Sequence, residues 1–171
     1  MVAKRYVSYD DMNVMLNTMY REMAIDGYKP DVVVGLVRGG AIPAVHFSHY
    51  FDVPMVAFKY SLRDHPGSDD FQKLTDLIAT GQKILIVDDI CDEGHTLHNI
   101  MEQIQTFHSI ASSMSEALAE VIESYTPAVF ENVKTAVLQH NLGATLFSPD
   151  YCGEEINKVE SPVWVVYPFE Y

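Results

Sequence analysis

Cysteine, basic side chains and long apolar runs are what this 171-residue sequence has least of, and each shortage removes a class of protein. Cys91 and Cys152 are too few for a disulfide framework and are expected as free thiols. Eleven Lys and Arg stand against twenty-four Asp and Glu, a net charge of −13, and no basic cluster occurs. A general nucleic-acid surface is therefore not expected, because phosphate backbones are held mainly through clustered cations. Crossing a membrane takes about twenty apolar residues in a row. No stretch approaches that, and the opening "MVAKRYVSYDDMNVML" has no apolar segment fit for a signal peptide. The expectation is a soluble, cytoplasmic protein with no membrane partner. His65, His98, His108 and His140, even with both cysteines, lack zinc-ligand spacing, so no zinc is expected.

What is present suffices for one core. A hydrophobic share of 48% over this length, with no repeat, linker or low-complexity tract, predicts a single domain over residues 1–171. Met12, Met15, Leu16, Met19 and Met23 recur at three and four, predicting an amphipathic helix over 9–26 that Gly27 closes. "DVVVGLVRGG" then "AIPAVHFSHYF" reads as strand, glycine turn, helix. "VPMVAFKYSL" predicts a second strand and "RDHPGSDD" a loop, with "FQKLTDLIAT" a helix ending at Gly81. "KILIVDDI" has the unbroken apolar run of a strand inside a parallel sheet. Residues 96–123 carry helical spacing, read as two helices broken near "SIASSMS", and "VKTAVLQHN" and "SPVWVVYPF" supply further strands. Helices alternating with apolar strands predict an α/β domain with a mainly parallel sheet.

The chemistry concentrates in "ILIVDDICDEGHTL", residues 84–97, where four acids follow an aliphatic strand. Ligands of open α/β sheets bind beyond the carboxyl ends of the strands, and "DDICDEGHT" occupies that place. Gly94 permits a tight turn, Thr96 offers a hydroxyl, and amides at the following helix start can bind phosphate without lysine. Asp88 and Asp89 suit neighbouring sugar hydroxyls, or a divalent cation carried by a phosphorylated ligand. Phosphate beside a diol describes a ribose 5-phosphate. An acidic loop after a strand is also what a solvated helix start with favourable dipole charge looks like.

The full order of strand, two acids, two residues, acid, any residue, glycine, any residue, threonine is more specific than an acidic loop. It resembles the motif by which type I phosphoribosyltransferases bind 5-phosphoribosyl 1-pyrophosphate (PRPP). The likeness is nearest to the 6-oxopurine branch, because Asp92 stands where that branch carries an aspartate beside the purine. "GLVRGG", residues 35–40, is similar to the family's pyrophosphate loop, in which Gly39 and Gly40 let the backbone approach and Arg38 adds a cation. "SPVWVVYPFEY" is similar to the C-terminal ending of the smaller purine enzymes, where Trp164 would stack on the base and the Val165 backbone would bond its edge. The resemblance runs from about residue 30 to the end.

It implies a parallel sheet flanked by helices with a small C-terminal hood. It further implies transfer of phosphoribose from PRPP to hypoxanthine, guanine or xanthine, Mg²⁺ as cofactor, and a homo-oligomer, dimer or tetramer. Asp88 and Asp89 would hold the ribose diol or, through Asp89, the metal; residues 92–96 (Asp92, Glu93, Gly94, His95, Thr96) would grip the 5-phosphate. Asp92 would take the proton from the purine or accept its hydrogen bond.

The sequence departs from the family pattern in places. Glu93 stands where Thr or Ser is usual, adding a charge that must turn away from phosphate, and His95 replaces a small or basic residue. Asn141 aligns with the lysine that donates to the base's exocyclic oxygen; an amide can donate there or accept. Lys134 lies near the start of the same strand, and residues 104–131 look longer than in the small enzymes. By position "YSLRDHPGSDD" corresponds to the family's lid, from which Lys59, Arg63 or Lys73 could reach PRPP. Two other readings stay open: a catalytically weak protein on this fold that senses PRPP or nucleotide, and a phosphoribosyltransferase for another base.

Overall fold

The computed structural model describes residues 2–60, 68–113, 132–143 and 146–170. In chain order the elements are β1 (Ala3–Tyr6), α1 (Tyr9–Asp26), β2 (Val32–Val37), α2 (Ala41–Phe51), β3 (Met55–Lys59), α3 (Ser68–Ala79), β4 (Ile84–Cys91), α4 (His95–Ser113), β5 (Val133–Asn141), β6 (Tyr151–Ile156) and β7 (Val163–Val166). β2 to β6 form a five-stranded sheet in the order β3-β2-β4-β5-β6, with every neighbour parallel. β1 and β7 pair in parallel as a separate two-stranded sheet. The fold class is the one expected, α/β with a parallel sheet flanked by helices.

Period-two alternation divides the core. Val33, Leu85, Val87, Ala136 and Leu138 face the methionines of α1 and Ala44 and Phe47 of α2. Val32, Val34, Ile84, Ile86 and Val137 face Leu74 and Ile78 of α3 and Leu97, Ile100 and Ile104 of α4. Covered on both sides, β4 has no solvent face until Asp88, which explains its unbroken apolar run.

α1 opens on a capping box: Ser8 Oγ accepts from the Asp11 amide at 3.1 Å and Asp11 Oδ2 accepts from the Ser8 amide at 2.9 Å. It closes at Gly27, whose φ of +66° is the left-handed geometry glycine adopts without strain. Its five buried residues are Met12, Met15, Leu16, Met19 and Met23, those read from the spacing.

Several elements differ from the sequence reading. β1 and β6 were not expected: "AKRY" and "YCGEEI" lack an apolar run, and each is held by backbone pairing, β1 to β7 and β6 to the edge of the sheet at β5. The hood thus joins the two ends of the described chain rather than its C-terminal part alone. α3 begins at Ser68, inside the expected loop "RDHPGSDD", since Ser followed by two acids is itself a helix-start pattern; residues 61–67, Arg63 among them, lie outside the described residues. α4 runs unbroken through Ser113, so no break falls over 109–113, where neither Gly nor Pro interrupts. The second helix expected up to 123 falls on residues outside the described ones.

α1 approaches β6 across Gly153, where an added Cβ would sit 2.5 Å from Met15 Cβ and 2.8 Å from the Leu138 carbonyl oxygen. Neither neighbour is the free end of a flexible chain. Gly153→Ala is expected to cost about 1–3 kcal/mol by overpacking, read as a lowered denaturation midpoint with an unchanged denaturant slope.

Candidate active site

β4 lies mid-sheet, between β2 and β5, and its carboxyl end delivers the acids into a cavity of about 380 Å³ lined by residues 88–97. Asp88 and Asp89 are half-buried there. Asp88 Oδ1 accepts from the Asp89 amide at 3.0 Å, and Asp89 Oδ1 accepts from the Ile90 amide at 2.9 Å. Among the described residues no Lys or Arg forms an ion pair with either. Burial, with the Asp89 charge beside it, pushes the Asp88 carboxyl well above the usual carboxylate range, and burial raises Asp89 as well.

The glycine turn after β2 abuts this pair. A Cβ on Gly39 would overlap the Asp89 carboxylate, and one on Gly40 would overlap the Val87 carbonyl and lie 2.8 Å from Asp88 Cα. Two motifs about fifty residues apart in sequence are thereby one surface. The Val37–Arg38 peptide is cis, Arg38 is exposed, and Gly40 starts α2 without a side-chain cap.

The second turn, from Asp92 to Thr96, is braced by the segment after β5. The Leu146 amide donates to the Glu93 carbonyl at 2.8 Å, and Cys91 Sγ lies 3.4 Å from the Phe147 carbonyl oxygen. Gly94 has φ of +85°, and a Cβ there would sit 2.7 Å from the Phe147 amide nitrogen, so both backbone and space require glycine. The His98 amide donates to the Gly94 carbonyl at 3.0 Å, starting α4 immediately behind the turn. The exposed Glu93 carboxylate lies 3.3 Å from His95 Nε2, also exposed. Thr96 is half-buried on the cavity wall.

Both oxygens of Asp92 are engaged. Oδ1 accepts from Asn141 Nδ2 at 3.0 Å, and Oδ2 accepts from Lys158 Nζ at 2.7 Å. Asn141 Oδ1 in turn accepts from the Gly143 amide at 3.1 Å and the Lys158 amide at 3.0 Å. The buried amide is therefore fixed, with its nitrogen toward Asp92. Sequence reasoning weighed Asn141 and Lys134 here and missed Lys158. Lys134 is occupied at the other end of β5, 2.9 Å from Asp150. The signal for Lys158, a single cation just after "EEIN", carries meaning only once β6 is known to lie beside β5.

The remaining expected residues are not among those lining that cavity. Trp164 is 62% exposed on β7, opposite Lys4, and Val165 is buried opposite Arg5. Lys59 ends β3 and Lys73 lies on α3, both exposed.

A family model described as the phosphoribosyl transferase domain matches residues 8–168. The chain is 28% identical over 125 residues to the hypoxanthine-guanine phosphoribosyltransferase of Schizosaccharomyces pombe, covering 60% of each. It is 29% identical over 104 residues to the xanthine-guanine phosphoribosyltransferase of Idiomarina loihiensis, covering 58% of this chain and 63% of that one. It thus spans less than two thirds of these curated relatives. In fold it is similar to the purine phosphoribosyltransferase of Pyrococcus horikoshii, with a TM-score of 0.66, 24% identity and coverage of 98% of this chain and 94% of that one.

The raised carboxyl of Asp88 has a signed consequence. Above the ordinary aspartate range the unfolded chain loses its proton while the folded chain keeps it, so this group lowers stability as pH rises. Asp88→Asn is expected to raise the denaturation midpoint in metal-free buffer near pH 7, with the gain shrinking toward pH 4; an equal gain at both pH values would contradict the assigned cause.

Proposed function

Because the chain belongs to the phosphoribosyl transferase domain family, we propose that it transfers the 5-phosphoribosyl group of PRPP to a free 6-oxopurine, hypoxanthine, guanine or xanthine. The products are the nucleoside monophosphate and pyrophosphate. The observation that carries the choice of base is the 2.7 Å pair between Lys158 Nζ and Asp92 Oδ2. An ammonium has three donors, so those not spent on Asp92 remain for an acceptor on the base. A 6-oxopurine presents a carbonyl oxygen beside the N–H of its five-membered ring, matching a cation beside a carboxylate. Adenine sets an amino donor against the same cation.

On this reading each part of the site takes one role. Asp88 and Asp89 accept from the ribose hydroxyls, and the backbone amides of residues 93–96 with the Thr96 hydroxyl hold the 5-phosphate at the start of α4. As the bond from the anomeric carbon to pyrophosphate breaks, positive charge develops on the sugar, and Arg38, just ahead of α2, offsets the charge on the leaving group. Asp92 accepts the purine proton while the ring nitrogen attacks. Asn141 holds the Asp92 carboxylate in place, and Trp164 supplies a face for stacking.

Mg²⁺ fits this donor set as an ion shared with substrate. The described residues bring no three ligating side chains together as a cage, whereas two adjacent carboxylates with no cation of their own suit an ion that draws its other ligands from phosphate oxygens and water. Asp89, with Asp88, would hold it, and it would supply neutralisation of the pyrophosphate charge. The reading carries with it a homo-oligomer, dimer or tetramer, working in the cytoplasm. Among the described residues no helix is long and apolar enough to cross a membrane.

A second reading, a protein that binds PRPP without turnover, is favoured by Glu93, an exposed acid inside the phosphate turn. One assay separates the two. With PRPP, Mg²⁺ and each of hypoxanthine, guanine, xanthine, adenine and uracil, pyrophosphate release is expected with the 6-oxopurines and not with adenine or uracil. PRPP binding with no release for any base would establish the second reading instead.

Two variants test the base site. Lys158→Ala is expected to lower kcat/KM for the preferred base about 10- to 100-fold, the loss of one charged hydrogen bond, with PRPP affinity within threefold. Asp92→Asn is expected to lower turnover by about 10²–10⁴ while weakening PRPP binding far less; equal losses would argue against its place at the base.

A further inference from the structure

A continuous chain of hydrogen bonds runs from the N-terminal strand to the donor-site acids, and the mechanism above does not use it. Arg5 on β1 donates through one Nη to both oxygens of Glu154 on β6, each at 2.7 Å. Gln139 Nε2 on β5 donates to Glu154 Oε2 at 2.6 Å. Because a carboxylate can only accept, the Gln139 amide nitrogen must face Glu154 and its oxygen must face the other way. On that side stands the Tyr167 hydroxyl, 2.9 Å from Gln139 Oε1 and 3.1 Å from the Asp89 carbonyl oxygen. Tyr167 and Gln139 are 2% and 0% exposed, so water cannot replace either partner.

We propose that Tyr167 is a positioning residue for the phosphoribosyl donor, holding the Asp89 peptide through its hydroxyl and held in turn by Gln139, Glu154 and Arg5. This rests on the reading of Asp88 and Asp89 as the donor's ribose and metal site. The Asp89 residue is then pinned twice: its carbonyl by Tyr167, and its carboxylate by the next amide, Ile90. A rotation of the Asp89–Ile90 peptide would release both bonds together and swing the carboxylate away from the glycine turn it abuts. Gln139 Oε1 fixes where the Tyr167 hydroxyl stands, and Glu154 with Arg5 fixes Gln139, so loosening any of them loosens the hold on Asp89. Burial and the neighbouring Asp89 and Asp88 carboxylates push the Tyr167 phenol far upward, so it remains a donor throughout the working range. Tyr167 also stacks on Phe169, with ring centroids 5.4 Å apart and planes 3° apart, a contact that Phe at 167 would keep.

The test compares Tyr167→Phe and Glu154→Gln, singly and together, by thermal unfolding, PRPP–Mg²⁺ titration and steady-state kinetics with both substrates. Each single variant is expected to raise KM and Kd for PRPP about fivefold, the worth of one ordinary hydrogen bond, with KM for the base within twofold. The double variant is expected to lose less than the product of the two, because both act on one chain. A lowered midpoint with an unchanged KM for PRPP, or equal rises for both substrates, would reduce the chain to a stability element and overturn the inference. If the unmodified protein neither binds PRPP nor releases pyrophosphate, the donor-site reading falls and this inference with it. If it does both and the variants match it, this inference alone falls.

Discussion

Two adjacent carboxylates held partly out of water, with no cation paired to them among the described residues, are the constraint around which this site is built. Placing Asp88 and Asp89 at the end of a strand covered on both faces raises both carboxyls, a cost borne in the free protein. The surroundings then limit what can move. Gly39 and Gly40 leave no room for a side chain against the pair, the Asp89 and Ile90 amides each bond a carboxylate, and the Tyr167 hydroxyl bonds the Asp89 carbonyl. A site strained in this sense is relieved by hydroxyl donors or by a divalent cation, and the proposed donor with its metal would bring both.

The neighbouring acid is solved in the opposite way. Asp92 has partners on both oxygens, one from a fixed amide and one from an ammonium. The contrast is between two acids with no ion-pair partner among the described residues and one whose orientation is fixed by its partners. The Glu93 carboxylate turns to His95 on the exposed side while its carbonyl takes the Leu146 amide. The backbone of the turn is therefore braced independently of what its side chain does.

Much of the frame was legible because it rests on short-range pattern. α1, α2 and the strands β2 to β5 follow from apolar periodicity and from glycines at their ends, and the acid-rich turn follows from its place after an apolar strand. β1 and β6 were not legible, since a four-residue and a six-residue strand with charged or acidic residues have no distinguishing period and exist only through their neighbours' backbones. Missing β6 had a direct cost at the site: Lys158 follows it in chain order, and nothing in the sequence aims that lysine at Asp92. Which way the Asn141 amide faces was likewise decided by backbone amides from two separate turns, Gly143 and Lys158, that fill its oxygen.

The sequence by itself determined the parallel α/β frame, the position of the acids at the end of β4 and the glycine turn after β2, because these depend on residues a few places apart. Only the tertiary structure decided which residues share the site. It brought Gly39 against Asp89, Lys158 and Asn141 onto Asp92, and a chain from Arg5 through Tyr167 to the Asp89 carbonyl. Those contacts join residues 15 to 149 positions apart along individual hydrogen bonds. Local propensity carries no information at that range; strand order and register do.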